Sequence, residues 1–95
     1  MKPLYLIAEI YPHPDKLKTA HELFSTLVKK TLTEPGCLLY DLVVEEDAEH
    51  WLMLEKWESK AAWEQHMTTT HVTETNKLAE SVTRAKTKLR FLSGL

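Results

Sequence analysis

Five histidines are present in the chain, and two of them, His66 and His71, share a short tract with two tryptophans, Trp57 and Trp63. Imidazole is the side chain that ordinarily titrates near neutrality, so proton transfer is the first chemistry this tract offers. Trp51, Trp57 and Trp63 bring large apolar area with an indole donor, which suits either an aromatic ligand or simple core and interface bulk. The remaining histidines are placed differently. His13 and His50 fall at turn or strand ends and read as solvent-exposed, whereas His21 falls on the shoulder of a helical apolar stripe, the usual place of a partly buried structural histidine.

Metal chemistry is not expected from this spacing. Residues five apart on an unbroken helix point about 140° away from each other, and no cysteine or carboxylate cluster with ligand spacing accompanies the two histidines. The chain also lacks G-x-G-x-x-G, a P-loop and G-x-S-x-G. No flavin, nicotinamide or nucleotide cofactor is expected.

The elements that must position these side chains follow from periodicity. Residues 4–11 are aromatic and β-branched, closed by Pro12 and Pro14, and predict a strand. From Leu17, the apolar positions Ala20, Phe24, Leu27 and Val28 recur at helical spacing up to the breaker Pro35-Gly36. Residues 37–45 and 50–58 predict two strands of an antiparallel hairpin about the polar turn Glu46-Asp47-Ala48-Glu49. Ser59 is a good N-cap for a helix over 60–67, the β-branched run Thr68-Thr69-Thr70 weakens it, and Val72, Thr75, Leu78, Ala79 and Val82 resume a helical stripe. A kinked or broken helix is therefore expected there. Residues 85–92 alternate as a last strand.

The order β-α-β-β-α-β predicts a ferredoxin-like α+β fold, with an antiparallel sheet carrying both helices on one face, in a single domain over 1–95. The strands are apolar on both faces: Leu4, Leu6, Ala8 and Ile10 oppose Tyr5, Ile7 and Tyr11, and Trp51, Met53 and Trp57 oppose Leu52 and Leu54. One of these faces stays uncovered in a monomer, so a homodimer packed sheet to sheet is expected. Glu9, Asp41 and Glu55 sit mid-strand and need partners, for which Lys88 or Arg90 of the last strand are the expected source.

A chain of 95 residues has room for one two-layer core. Its 12 basic and 14 acidic side chains give a net charge of -2, and that balance predicts neither nucleic acid nor membrane as a partner. The lone Cys37 reads as a small packed residue in a reducing cytoplasm. The apolar run Leu4–Ala8 is too short for a signal sequence or a membrane span.

Three segments together resemble the antibiotic biosynthesis monooxygenase family, of dimeric α+β barrel type: Glu34-Pro35-Gly36-Cys37 followed by Tyr40, the strand end Glu55-Lys56-Trp57-Glu58-Ser59, and His66 to His71 in the form H-x-x-T-x-H. The resemblance covers nearly the whole chain. It implies a quinol- or polyketide-oxidising monooxygenase that uses neither metal nor flavin and oxidises a small phenolic or quinol with dioxygen. It also implies His66 and His71 as base, Tyr40 and an indole as donors, and Trp57, Trp63 and His21 as substrate contacts. In the polyketide-oxidising branch the strand tryptophan matches Trp57, but Trp63 replaces a tyrosine and Met53 an asparagine. The haem-degrading branch fits poorly, because His66 stands at its tryptophan position and Asn76 at its haem-ligating histidine. Two alternatives use the same pocket: an isomerase of the quorum-signal-processing type, and a non-catalytic small-molecule-binding or stress-associated module.

Overall fold

In the computed structural model, which describes residues 2–46 and 48–95, four strands and three helices run in the expected order. The strands are β1 (Leu4–Ile10), β2 (Cys37–Val44), β3 (Trp51–Trp57) and β4 (Lys88–Ser93). The helices are α1 (Leu17–Thr31), α2 (Lys60–His66) and α3 (Thr70–Ala79), with a single 3-10 turn at Pro14–Lys16 before α1. The sheet order is β2-β3-β1-β4, and every neighbouring pair is antiparallel. This is the ferredoxin-like α+β arrangement. Of the polar turn expected at 46–49, Asp47 lies outside the described residues, as does Met1.

Alternation sorts the strand side chains as the pleat requires. Leu6, Ala8 and Ile10 of β1, Tyr40 of β2, and Met53 and Trp57 of β3 are buried together with Ala20, Phe24 and Leu27 of α1 and Val72 of α3. Trp57 is completely buried, and an indole in that position contributes about 3 kcal/mol of burial free energy. The opposite sheet face carries Tyr5, Ile7, Leu52 and Leu54, with Leu39 and Leu92 left 42% and 45% exposed. No helix of the described residues is long and apolar enough to cross a membrane.

Several boundaries differ from the sequence reading. Helix α1 stops at Thr31, and residues 32–36 form successive turns in which Thr33 N–H donates to Lys30 O and Glu34 N–H to Thr31 O. The last strand begins at Lys88, so Arg84 and Lys86 precede the sheet; Thr83 instead bridges Pro12, and Arg84 N–H donates to Tyr11 O. The third strand is shorter by a residue at each end.

The mid-strand acids separate as well. Glu9 is paired as expected, 2.9 Å from Arg90, and also accepts from the Tyr11 hydroxyl at 2.6 Å. Asp41 is exposed on the outer face. Glu55 corrects the expectation. It is buried on the helix-covered face, and β1 places Leu6 between it and Phe91, so Lys88 and Arg90 lie on the wrong side of the sheet.

Gly36 fixes how the turn after α1 enters β2. Its φ is +85°, and an added Cβ would lie 2.8 Å from Ala62 Cβ and 3.0 Å from Glu58 Cγ. Its carbonyl accepts from Glu58 N–H at 2.9 Å, which ties this turn to the start of the β3–α2 connection. Gly36→Ala is expected to destabilise the fold by about 2 kcal/mol, from left-handed strain plus overpacking. Thermal unfolding checks this, with a fall in Tm on the order of 10 °C expected.

Candidate functional site

The site is built where a helix stops and restarts. Ser59, extended at φ -163°, accepts Ala62 N–H at 3.1 Å and starts α2, a cap worth about 1 kcal/mol. At the far end the Thr68 and Thr69 hydroxyls donate to Gln65 O and His66 O, each at 2.7 Å. Thr69 Oγ1 also accepts Val72 N–H at 3.4 Å, so one hydroxyl closes α2 and caps α3. The threonine run does more than weaken a helix; it supplies the groups that satisfy both broken ends.

This break overturns the geometry assumed for a continuous helix. His66 Nδ1 and His71 Nε2 both lie 2.7 Å from the same oxygen, Oε2 of Glu34, and the two rings are 6.1 Å apart. A carboxylate only accepts, so each of these ring nitrogens carries the hydrogen. His66 is thereby held with Nδ1–H toward Glu34 and the lone pair on Nε2. Glu34, His66 and His71 are also the group, among the described residues, whose donor atoms could gather round a metal ion. The 2.7 Å separations from Glu34 to each histidine are those of charge-assisted hydrogen bonds.

His66 is buried in an aromatic slot. Its ring centre is 4.6 Å from that of Trp57 and 5.4 Å from that of Tyr40. Burial lowers its pKa below the ordinary 6.5, and the hydrogen bond and charge of Glu34 pull the other way without cancelling that effect. The Tyr40 phenol is pushed up by burial first and then by the charge of Glu55, which keeps it a proton-bearing donor. Thr31 Oγ1, buried beside that phenol, makes no hydrogen bond of good geometry.

Between sheet and helices lies a cavity of about 80 Å³ with apolar walls from Leu6, Ala8, Ile10, Phe24, Leu27, Met53 and Val72. Its polar lining includes Tyr40, Glu55 and His66, and Trp63, Met67, Asn76, Thr87 and Leu89 also line it. Met67, Asn76, Thr87 and Leu89 border a wider groove of about 680 Å³ as well, so the cavity has a mouth. A closed cavity of roughly 150 Å³ holds benzene. A ring would therefore enter with its far edge in the groove.

Of the residues singled out from sequence, His66, Tyr40 and Trp63 line this cavity. Trp57 stands behind His66 and supports its ring, and His71 reaches Glu34 without lining the cavity. His21 is not brought in: it is exposed, edge-on to Trp51 at 6.2 Å. Cys37 is half-buried, and burial first, with Glu34 and Glu55 adding, pushes its thiol up to about 11, which suits packing better than nucleophilic attack.

Two functional candidates were missed. Glu34 opens the Glu-Pro-Gly-Cys segment, but only the three-dimensional turn brings it to the histidines. Glu55 was legible in principle, because it alternates with Met53 and Trp57 on one apolar strand face.

The family described as antibiotic biosynthesis monooxygenase matches residues 3–78 of this chain. The Mycobacterium tuberculosis protein Rv0793, named as a candidate monooxygenase, is 29% identical over 69 residues, covering 73% of this chain and 68% of its own. Among solved structures, an antibiotic biosynthesis monooxygenase is 30% identical with a TM-score of 0.90, over 97% of this chain and 98% of its own. PA3566 from Pseudomonas aeruginosa is 30% identical with a TM-score of 0.91, over 100% of this chain and 96% of its own. With its fold, its matched segment and these relatives in agreement, the chain belongs to the antibiotic biosynthesis monooxygenase family.

Proposed function

We propose that this chain is a monooxygenase that oxidises a small phenol or quinol with dioxygen and draws all the electrons from the substrate. The observation that carries this reading is His66: Glu34 engages its Nδ1, and its ring lines an apolar cavity with Nε2 left as the basic nitrogen. An oriented, neutral imidazole facing a cavity with apolar walls is a general base for a phenolic proton.

The reaction balances with these groups. His66 Nε2 takes the phenolic proton, and electron density passes to a ring carbon. One electron moves to dioxygen, the radical pair joins through a C–O bond, and a peroxide forms. Loss of the hydrogen on that carbon, as a proton, breaks the O–O bond. The carbon becomes a carbonyl, and the outer oxygen leaves as water with the two protons released. Phenol plus dioxygen thus gives quinone plus water, with four electrons passing from ring to oxygen. Tyr40, which keeps its proton, is the donor for the developing negative charge.

Oxygen uptake with a panel of phenols and hydroquinones tests this assignment. His66→Ala is expected to lose about 100-fold or more in kcat/KM, and Glu34→Gln to lose less, since an amide still accepts from one histidine. Activity requires neutral His66, so it holds to below pH 6.5 and falls as pH drops through the lowered His66 value. No uptake with any substrate, or equal uptake by His66→Ala, contradicts the assignment. Turnover unchanged without oxygen points to an isomerase, and saturable binding without product to a binding module.

We further propose that the apolar outer sheet face, with Tyr5, Ile7, Leu39, Leu52, Leu54 and Leu92, is covered by a second copy of the chain. Analytical ultracentrifugation at micromolar concentration is expected to give a dimer, and Leu54→Lys to shift it toward monomer; a wild-type monomer contradicts this.

A further inference from the structure

Glu55 has no role in the mechanism above, yet it is the acidic side chain lining the cavity. The pleat puts it there. Between Met53 and Trp57 on β3, it points toward the helices, with Tyr40 across the strand pair on one side and Leu6 on the other. It is 6% exposed, and among the described residues no lysine, arginine or histidine stands within ion-pair distance of it. A carboxyl so placed is costly unless something uses it.

Its two oxygens are unequal. Oε1 accepts from Trp57 Nε1 at 3.0 Å, which fixes the plane of the group. Oε2 has no such partner among the described residues and is left to the cavity that Glu55 lines. We propose that Glu55 Oε2 carries a hydrogen and donates it to a ring oxygen of the bound quinol or quinone, making Glu55 a substrate-positioning residue. This rests on the reading of the cavity as an aromatic-ring site.

The charged and titratable groups around Glu55 agree on its form. Tyr40 from β2 is a neutral phenol, and His66 from α2 is a neutral imidazole. Glu34, between α1 and β2, supplies negative charge; Cys37 at the start of β2 keeps its proton. Strand β1 contributes only apolar side chains on this side, Leu4, Leu6, Ala8 and Ile10, and α1 offers Thr31. Burial first, and then Glu34, raise the Glu55 carboxyl to about 7 against the opposing hydrogen bond from Trp57. Below that value the group is a neutral carboxylic acid, a hydrogen-bond donor rather than a base.

The consequence is complementarity within one small cavity. His66 Nε2 accepts from a ring hydroxyl, and Glu55 donates to a ring oxygen. A ring bearing a hydroxyl is held at both groups and a quinone at Glu55, whereas a bare hydrocarbon ring leaves both unpaired.

The test uses duroquinone, a quinone with no titratable group and no free ring position, with binding followed by quenching of tryptophan fluorescence. Wild-type affinity is expected to weaken at least tenfold from pH 5.5 to 8.5. Glu55→Gln, whose amide still donates and does not titrate, is expected to bind at both pH values within threefold of wild type at pH 5.5. Glu55→Leu is expected to lose tenfold or more at pH 5.5. Circular dichroism confirms that both variants are folded.

A pH-independent wild-type affinity, full affinity in Glu55→Leu, or no binding of duroquinone by wild type overturns the proposal. This readout is separate from turnover. The binding pattern without any oxygen uptake removes the monooxygenase reading and leaves this one standing, whereas oxygen uptake with pH-independent binding removes this one alone.

Discussion

One carboxylate oxygen organises the site. Glu34 Oε2 accepts from His66 and His71 at 2.7 Å each, and so joins three pieces of chain: the turn after α1, the end of α2 and the start of α3. Charge-assisted hydrogen bonds of this length, at side chains between 3% and 18% exposed, are poorly screened by water. Much of the local architecture serves this contact. Gly36 takes the left-handed turn that delivers Glu34, Ala62 packs against that turn, and the Thr69 hydroxyl splices the two helices so that both rings converge.

The cavity beside it holds two groups driven in opposite directions by the same burial. Desolvation disfavours charge, which lowers a histidine and raises a carboxyl. His66 falls below 6.5 while Glu55 rises to about 7, so between those two values the imidazole is the free base while the carboxyl still carries its proton. Ordinary values would have the reverse order. Pairs of groups pushed apart in this way mark acid and base assignments, and here they stand in one cavity with apolar walls. Trp57 serves both, with its ring against His66 and its N–H on Glu55.

Periodicity was enough for the fold, because each strand and helix exposes its apolar face at its own repeat and the breakers Pro12, Pro35 and Gly36 punctuate them. Element ends were less legible. Helix α1 ends in turns rather than at the proline, since helical composition continues past the last helical hydrogen bond. In the site, His66, Tyr40 and Trp63 could be named from residue type and resemblance, but Glu34 could not be joined to His66. They are 32 residues apart, and the contact depends on a left-handed glycine and on a helix break whose direction no spacing encodes. Glu55 was misassigned for a different reason. Its unpaired charge suggested a cation across the sheet, whereas burial instead raises the carboxyl to about 7.

The proposed chemistry depends on His66 being a neutral, Nδ1-protonated imidazole held by Glu34. Nitrogen NMR of the histidine side chains, followed through a pH titration of the intact protein, observes this directly. His66 is expected to carry its hydrogen on Nδ1 at neutral pH, to titrate below the ordinary 6.5, and to lose the tautomer preference in Glu34→Ala. A hydrogen on Nε2, or titration above 6.5, would contradict it.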